Sequence, residues 1–210
     1  MNRSKKSVAI GKVVIMIILI EALERILSWL QKNAPSSASS LQHGLTFSEI
    51  ENRVEVLPFF LPTEFYKLYQ WHNGVFSGEK DFTFFCPAYS FNSLEESLIQ
   101  YENLLEEAQK IAEELWMNPA EIWNKNWFPI FSYDRDYLFI VGEEEKRYQS
   151  PVMSYFRGNP GPNLWYPSIT KMMLAIAECY ETGVYYINDN NEVTINYVEE
   201  ELVRQKYLYE

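Results

Sequence analysis

The sequence predicts an α+β fold, in which helices pack on a mostly antiparallel sheet. Three apolar segments with strand character, at 127–133, 137–142 and 151–156, follow one another along the chain and are joined by short polar links. The links at 133–137 and 188–192 are too short for a crossover between parallel strands. Segments with helical periodicity precede and follow these strands, an arrangement typical of the α+β class.

The first 44 residues predict an N-terminal helix and a serine-rich linker, followed by a single domain at 45–210. The helix is predicted over 17–33, and the following segment, APSSASSLQHG, is small, polar and poor in helix formers, as linkers are. The expected inward face of this helix consists of Ile20, Leu23, Ile26, Leu27 and Leu30.

The basic start of the chain and its apolar run at 13–20 are open to three interpretations. A membrane helix needs about 20 apolar residues, and this run is far shorter. A signal peptide would be followed directly by a small-residue cleavage site, which the sequence does not show. A start at Met16 instead of Met1 would give a simpler beginning for a cytosolic chain. We therefore expect a cytoplasmic protein with no membrane partner.

A capping box, Thr46 with Glu49, begins a helix predicted over 46–57, and the prolines of PFFLP end it. The segment LPTEFYKLYQWHNG, at 61–74, predicts a second short helix. Pro62 suits its first position, and Asn73-Gly74 favours the left-handed backbone that ends a helix.

A strand is predicted at 81–86, DFTFFC, and a helix at 94–116, which begins with a capping box of Ser93 and Glu96. Because this helix has a broad apolar face, we expect it to pack on the sheet rather than form a coiled coil. That face consists of Leu94, Leu98, Tyr101, Leu105, Ala108, Ala112 and Leu115, widened by Leu104 and Ile111. The opposite face is rich in glutamate, as solvated helix faces are.

The remaining segments predict one element each. A short helix follows its cap Asn118, and the three strands come next. We expect a long loop over 157–168, a helix over 169–182 with Gly183 just past its end, a hairpin turning at 189–191 and a polar helix at 197–207. The inward side chains of the helix at 169–182 are expected to be Ile169, Met172, Met173, Ile176 and Tyr180.

The composition excludes one class of partner and allows another. The formal net charge is −11, and nucleic-acid binding requires clustered Lys and Arg, so we expect no nucleic-acid partner. The same charge suits a basic protein partner, because opposite fields accelerate encounter, although it also serves solubility alone. The 15 Tyr, 13 Phe and 6 Trp suit either an aromatic core or a recognition surface.

The sequence shows no catalytic, cofactor or metal signature. The motifs GxGxxG, GxxxxGK[ST], HExxH and GxSxG do not occur, and neither Cys86 nor Cys179 lies in a CxxC. We expect the cysteines to be buried thiols, and His72 to have a structural role rather than to pair with Cys86 as a nucleophile. Asp134 and Asp136 flank Arg135 in a predicted turn, where turn chemistry explains them more simply than paired-acid catalysis or cation binding.

Several of these segments together resemble the SUKH superfamily. LPTEFYKLYQWHNG is similar to the opening signature of that family, and WFPIFSYDRDYLFIVG is similar to its central pair of strands. VMSYF and SITKMMLAIAECYETGVYY are similar to its closing strand and helix, so the resemblance covers about 45–190. The family includes fungal cell-wall assembly regulators and bacterial immunity proteins. The resemblance implies an α+β fold, no catalysis and no cofactor.

These observations favour a non-enzymatic protein-binding domain, and three hypotheses for its function stay open, the last of which is an enzyme. The first is an immunity protein that neutralises a toxin, often a nuclease in this family, by direct binding. The second is a regulatory or scaffolding protein, and the third is a hydrolase that uses His72 or the Asp134–Asp136 region. The family transfers no contact residue, so the candidates come from the sequence alone. They lie in the aromatic segment 158–167 and on acidic segments, and are Trp165, Tyr166, Glu106, Glu113, Asp134 and Asp136.

Overall fold

The computed structural model describes residues 3–76, 88–156, 161–190 and 192–209, and it confirms the α+β class. The helices in these ranges are α1 (Arg3–Asn33), α2 (Pro35–Ser40), α3 (Phe47–Val54), α4 (Thr63–Trp71), α5 (Leu94–Leu115), α6 (Pro119–Ile122), α7 (Ile169–Thr182) and α8 (Tyr197–Tyr209). The strands are β1 (Leu41–His43), β2 (His72–Val75), β3 (Ser90–Phe91), β4 (Trp127–Tyr133), β5 (Asp136–Val141), β6 (Val152–Tyr155), β7 (Asn163–Tyr166), β8 (Tyr185–Ile187) and β9 (Val193–Ile195).

The main sheet is antiparallel throughout, with the strand order β3-β4-β5-β6-β7 among the described residues. The predicted meander is confirmed, because β4, β5 and β6 are neighbours both in sequence and in the sheet. The turn between β4 and β5 pairs Tyr133 with Asp136, and Asp134 within it has a left-handed φ of 51°. The predicted final hairpin is also confirmed as the β8–β9 pair.

The two faces of the sheet contact different apolar clusters, as the alternation of side chains along a strand requires. On β5, Leu138 and Ile140 belong to the main core, which they share with α1, α4 and α7. Phe139, between them, lies in a second cluster with Ala108 of α5 and Trp123. The predicted packing of α5 on the sheet is therefore confirmed, with α5 and the Trp123 segment covering part of the second face.

The N-terminal helix is longer than predicted, and its predicted inward face is confirmed at Leu23, Ile26 and Leu30 but not at Ile20. α1 begins at Arg3 rather than at 17. Ile20, expected to face inward, is 45% exposed, whereas Leu19 is fully buried. The helix packs on α7, where Arg25 donates to both carboxylate oxygens of Glu181 at 2.7 and 2.5 Å.

The prediction of a linker after this helix is wrong. The segment forms α2, with Pro35 at its first position, followed by β1. Ser39 Oγ donates to the Pro35 carbonyl at 2.8 Å, a side-chain bond within the helix. Leu41 is buried and pairs with Val75 of β2. Polar composition misled the prediction, because the partner strand lies about 30 residues further along the chain.

The helix predicted at 61–74 forms α4, but both of its ends differ from the prediction. Pro62 is the N-cap residue, and the helix ends at Trp71, so that His72 begins β2. Gly74 has the expected left-handed φ, 76°, but within a strand rather than at a helix end. Asn73 Oδ1 accepts a hydrogen bond from the Leu94 backbone N–H at 2.9 Å. The Asn-Gly pair therefore positions the start of α5.

The structure confirms the predicted N-terminal caps of two helices, at residues 46 and 93. Thr46 and Glu49 form the capping box of α3, and Ser93 and Glu96 form that of α5. Asn118 caps α6 through the Ala120 backbone N–H at 3.0 Å. The buried residues of α5 include Leu94, Tyr101, Ala108 and Ala112, whereas Leu115, also expected inward, is 60% exposed.

The C-terminal segments follow the prediction except in the loop 157–168. The expected inward residues of α7 are all buried, and Gly183 ends the helix with a φ of 79°. The loop instead contains β7, an edge strand that pairs with β6. The strand predicted at 81–86 and Cys86 lie outside the described residues. Cys179 is a buried thiol, as expected, and burial raises its pKa to about 12.

Candidate functional site

The candidate site is a cleft at one end of the main sheet, which we call the aromatic cleft. The sheet forms one side, through the ends of β4, β5 and β6 and through β7. The β8–β9 hairpin and the first turn of α8 form the other side. The cleft has a volume of about 260 Å³. Its described lining residues are Ala88, Tyr89, Tyr133, Asp136, Phe156, Trp165, Tyr185, Ile195, Tyr197 and Glu200.

Aromatic rings make up most of the lining, and contacts behind the cleft hold several of them in place. Phe156 and Trp165 meet edge to face, with ring centroids 5.6 Å apart. Tyr185 stands at 84° to Tyr180 of α7, with centroids 5.0 Å apart, which ties the hairpin to the core. Tyr197 is 69% exposed and forms the outer rim. Rings fixed in this way offer π faces at little cost in side-chain entropy on binding.

The lining contains two carboxylates and, among the described residues, no Lys or Arg. Asp136 is the first residue of β5, and Glu200 lies one turn into α8. Burial raises the pKa of Glu200 above its ordinary value, and the positive charge of Arg204 only partly offsets this effect. Within the described part of the chain, the Glu200 carboxylate makes no hydrogen bond or ion pair. The cleft therefore combines apolar walls with negative charge.

A cation already lies on one of these rings. The guanidinium carbon of Arg204 is 4.2 Å from the centroid of Trp165. Arg204 also makes an ion pair with Glu201, and its side chain is only 11% exposed. Arg204 is not itself among the residues that line the cleft. The fold therefore already pairs a guanidinium with Trp165 and a neighbouring carboxylate.

The structure brings together two of the six candidate residues and separates the others. Trp165 and Asp136 both line the aromatic cleft. Tyr166, its neighbour on β7, is 3% exposed and belongs to the core, which is a correction to its predicted place on a binding surface. Asp134 is exposed in the β4–β5 turn, one residue from Tyr133 of the cleft.

The other two candidates, Glu106 and Glu113, are exposed on α5. Glu106 lies 3.8 Å from Lys110, and Glu113 accepts a hydrogen bond from Gln109 at 2.8 Å. Glu113 also lines a shallow depression beside Trp116, the residue that caps α5. These acids form an exposed charged surface rather than a pocket.

Sequence reasoning missed the residues of the cleft that come from the C-terminal segment. Tyr197 and Glu200 lie three residues apart and therefore share one face of α8. The sequence predicts this segment only as a polar helix. An aromatic residue and an acid at that spacing are the signal that one face of the helix could contact another surface. Tyr185 carried no signal of its own, because strand residues alternate between core and surface.

His72, the candidate near-neutral base, has a structural environment. Its Nδ1 lies 2.6 Å from the Gln42 carbonyl oxygen, and because a carbonyl only accepts, Nδ1 carries the proton. Its ring stands edge-on to Trp71, with centroids 4.4 Å apart. Burial lowers the pKa of His72 below its ordinary value. His72 is not part of the cleft lining.

Two other kinds of site are absent over the described ranges. No three His, Cys, Asp or Glu side chains come together there as metal ligands would. Every helix among those residues is either too short or too polar to span a bilayer. In comparisons with known proteins, no family model matches the chain and no curated protein is significantly similar to it.

Proposed function

We propose that this chain is a non-enzymatic protein-binding domain that acts as an immunity protein, neutralising a basic toxin by direct binding. The observation that carries the proposal is the aromatic cleft, which presents rigid rings around two carboxylates at the surface. Aromatic residues in partly buried depressions are the side chains that contribute most to protein–protein affinity. The resemblance of the sequence to the SUKH superfamily supports the same function.

The chemistry of the cleft favours binding over catalysis. Its described titratable residues are two carboxylates and several tyrosines, and they come without a histidine or a cysteine. A hydrolase would need a nucleophile within reach of a base, or two acids placed on either side of a bond. Asp136 and Glu200 lie among aromatic residues of the lining, a setting that suits a bound cation.

The negative charge of the chain would accelerate its association with a basic partner. A net charge of −11 and the exposed glutamates of α5 create a negative field that attracts a basic protein. Screening shortens the range of this field, because the Debye length falls from about 10 Å at 0.1 M salt to about 3 Å at 1 M. The association rate should therefore fall as salt rises. The proposal includes a reducing compartment such as the cytosol, with which the buried thiol of Cys179 is compatible.

The test is co-expression of the chain with any toxin that a neighbouring gene encodes, scored for rescue of growth. The proposal expects rescue, together with a stoichiometric complex that can be isolated from the same cells. Absence of both rescue and complex formation would contradict it. A screen for hydrolysis with the wild type, His72→Ala and Asp136→Ala tests the competing hypothesis. If the wild type turns over a substrate and either substitution abolishes this turnover, the protein is an enzyme instead.

A further inference from the structure

The aromatic cleft has the features of a site for one positively charged side chain. Its volume of about 260 Å³ is smaller than that of pockets for drug-sized ligands, which begin at about 300 Å³. A lysine or arginine side chain has a long apolar stem and a charged end, so it can contact rings along its length and a carboxylate at its tip. The cleft offers both kinds of surface.

The rings provide the first attraction. The faces of Trp and Tyr carry negative electrostatic potential, and a cation within about 6 Å of a ring centroid is attracted to it. Trp165, Tyr133 and Tyr197 come from three different elements, so rings bound the cleft on several sides. Arg204, 4.2 Å from the Trp165 centroid, shows that this ring accepts a guanidinium in the folded protein.

Glu200 provides the second attraction and the selectivity. Its carboxylate is partly withdrawn from water, and within the described residues it has no hydrogen-bond donor of its own. An arriving cation would stabilise this charge further, whereas a neutral side chain of the same shape would leave it offset only in part by Arg204. Asp136, on the sheet side of the cleft, adds a second negative charge.

We propose that the aromatic cleft binds a single lysine or arginine side chain of the partner protein, with its stem on Trp165 and Tyr197 and its charge beside Glu200. This inference rests on the proposed function for the identity of the ligand as a protein side chain. It adds which residue type the partner must present and which surface of this chain receives it.

The experiment titrates the full chain with three blocked amino acids, N-acetyl-lysine methylamide, N-acetyl-arginine methylamide and the uncharged N-acetyl-norleucine methylamide, and follows the side-chain NMR signals of tryptophan and tyrosine. We expect one or both cations to shift the Trp165 signals with saturation, and norleucine to produce no saturable shift. Comparison of the two cations decides between ammonium and guanidinium. Equal binding of norleucine would overturn the proposal.

Two variants test the residues, and a third is the control. Glu200→Gln should weaken cation binding about tenfold or more, while Glu199→Gln, an exposed acid on the same helix, should leave it unchanged. Tyr197→Ala removes a ring that is 69% exposed, so it tests the cleft even if Glu200→Gln disturbs folding. Wild-type affinity in both Glu200→Gln and Tyr197→Ala would contradict the proposal.

These binding experiments can fail or succeed independently of the test of the immunity function. If the cleft binds lysine or arginine but no toxin is neutralised, the inference about the cleft stands and the immunity function fails. If the toxin is bound equally well by the wild type and by Glu200→Gln, the immunity function stands and the cleft is not its contact.

Discussion

Glu64 and Thr170, 106 residues apart in the chain, are joined by two hydrogen bonds at the N-terminus of α7. The Thr170 backbone N–H and its hydroxyl both donate to Glu64 Oε2, at 3.1 and 3.0 Å. The Ser150 and Ile169 backbone N–H groups donate to Oε1, each at 3.0 Å. Burial raises the pKa of Glu64, whereas the four donors and the helix dipole favour the ionised carboxylate. One side chain thus connects α4, the segment before β6 and α7.

The first prediction concerns this connection. Glu64→Gln replaces one oxygen by an NH₂ group that faces backbone donors, so buried N–H groups lose their acceptor. We expect the free energy of unfolding to fall by about 2–4 kcal/mol. Urea denaturation measures it, with the exposed Glu145→Gln as the matched control. Equal denaturation midpoints for the two variants would show that the Glu64 carboxylate does not hold these elements together.

Glu64 also shows where sequence reasoning succeeds and where it stops. Capping boxes such as Ser93 with Glu96 were predictable because both partners lie within four residues. The same local rule would assign Glu64, in the first turn of α4, to the dipole of its own helix, but its partners are on α7 and before β6. Non-local pairing likewise made a strand of the segment 41–43, which the local composition marked as linker.

The candidate site was predictable to the same extent. Trp165 and Asp136 stood out by residue type and by their place in loops or turns. Glu200 and Tyr185 did not, because only the folding of the C-terminal hairpin and helix against the sheet end makes them part of the cleft. Tyr166 was chosen for its residue type, yet the alternation of β7 places it in the core.

The second prediction compares two glycines with similar backbone and different surroundings. Gly74 and Gly183 have φ values of 76° and 79°. A Cβ at Gly74 would lie 2.3 Å from the Ser93 backbone nitrogen, whereas a Cβ at Gly183 would have no atom within 4 Å. Gly183→Ala should therefore cost about 1–2 kcal/mol, the strain of a left-handed alanine. Gly74→Ala should cost about 4 kcal/mol or more, because the start of α5 must also move.

Thermal denaturation of the two variants, compared with the wild type, measures this difference. Gly183→Asn is a useful third variant, because asparagine tolerates left-handed backbone better than alanine does. It should be at least as stable as Gly183→Ala. Similar losses for Gly74→Ala and Gly183→Ala would mean that the approach of Gly74 to Ser93 is not a constraint in solution.

The third prediction is a pH dependence that arises from His72. Because burial lowers the pKa of His72 in the folded state, the unfolded chain binds a proton at a pH where the folded chain does not. The contribution of neutral His72 to the free energy of unfolding is therefore fully present above the ordinary histidine pKa of about 6.5. It is lost as the pH falls below that value. The groups that act on this pKa include the Gln42 carbonyl, His43 and Glu24.

The measurement is the urea midpoint of the wild type and of His72→Asn between about pH 7.5 and pH 5.5. Asparagine keeps an N–H donor near the position of Nδ1 but does not titrate. The advantage of the wild type over the variant should be largest at the high end of this range and should shrink as pH falls. His43→Asn removes the other imidazole, which itself acts on the pKa of His72, so His72→Asn is measured both with and without it. A constant difference across the range would exclude His72 as the titrating group.

The fourth prediction concerns Trp116, the residue that ends α5. Its φ and ψ are 55° and 41°, a left-handed conformation that is unfavourable for a residue with a bulky side chain, and it is 96% exposed. Leu115 and Met117, on either side, are 60% and 44% exposed. A large apolar side chain that costs backbone strain and buries almost nothing contributes little to folding, so it is a candidate for contact with a partner.

Trp116→Gly should raise the free energy of unfolding by about 1 kcal/mol, because glycine adopts this backbone without strain and no buried contact is lost. If the end of α5 contacts the partner, the same variant should bind the partner more weakly. Trp116→Asn also accepts left-handed backbone but is less flexible than glycine, so it shows the effect of losing the ring without added backbone freedom. Stability of both variants is measured by urea denaturation, and binding by complex formation. A clear loss of stability in both variants would show that the Trp116 ring packs against the protein in solution and is not held out for a partner.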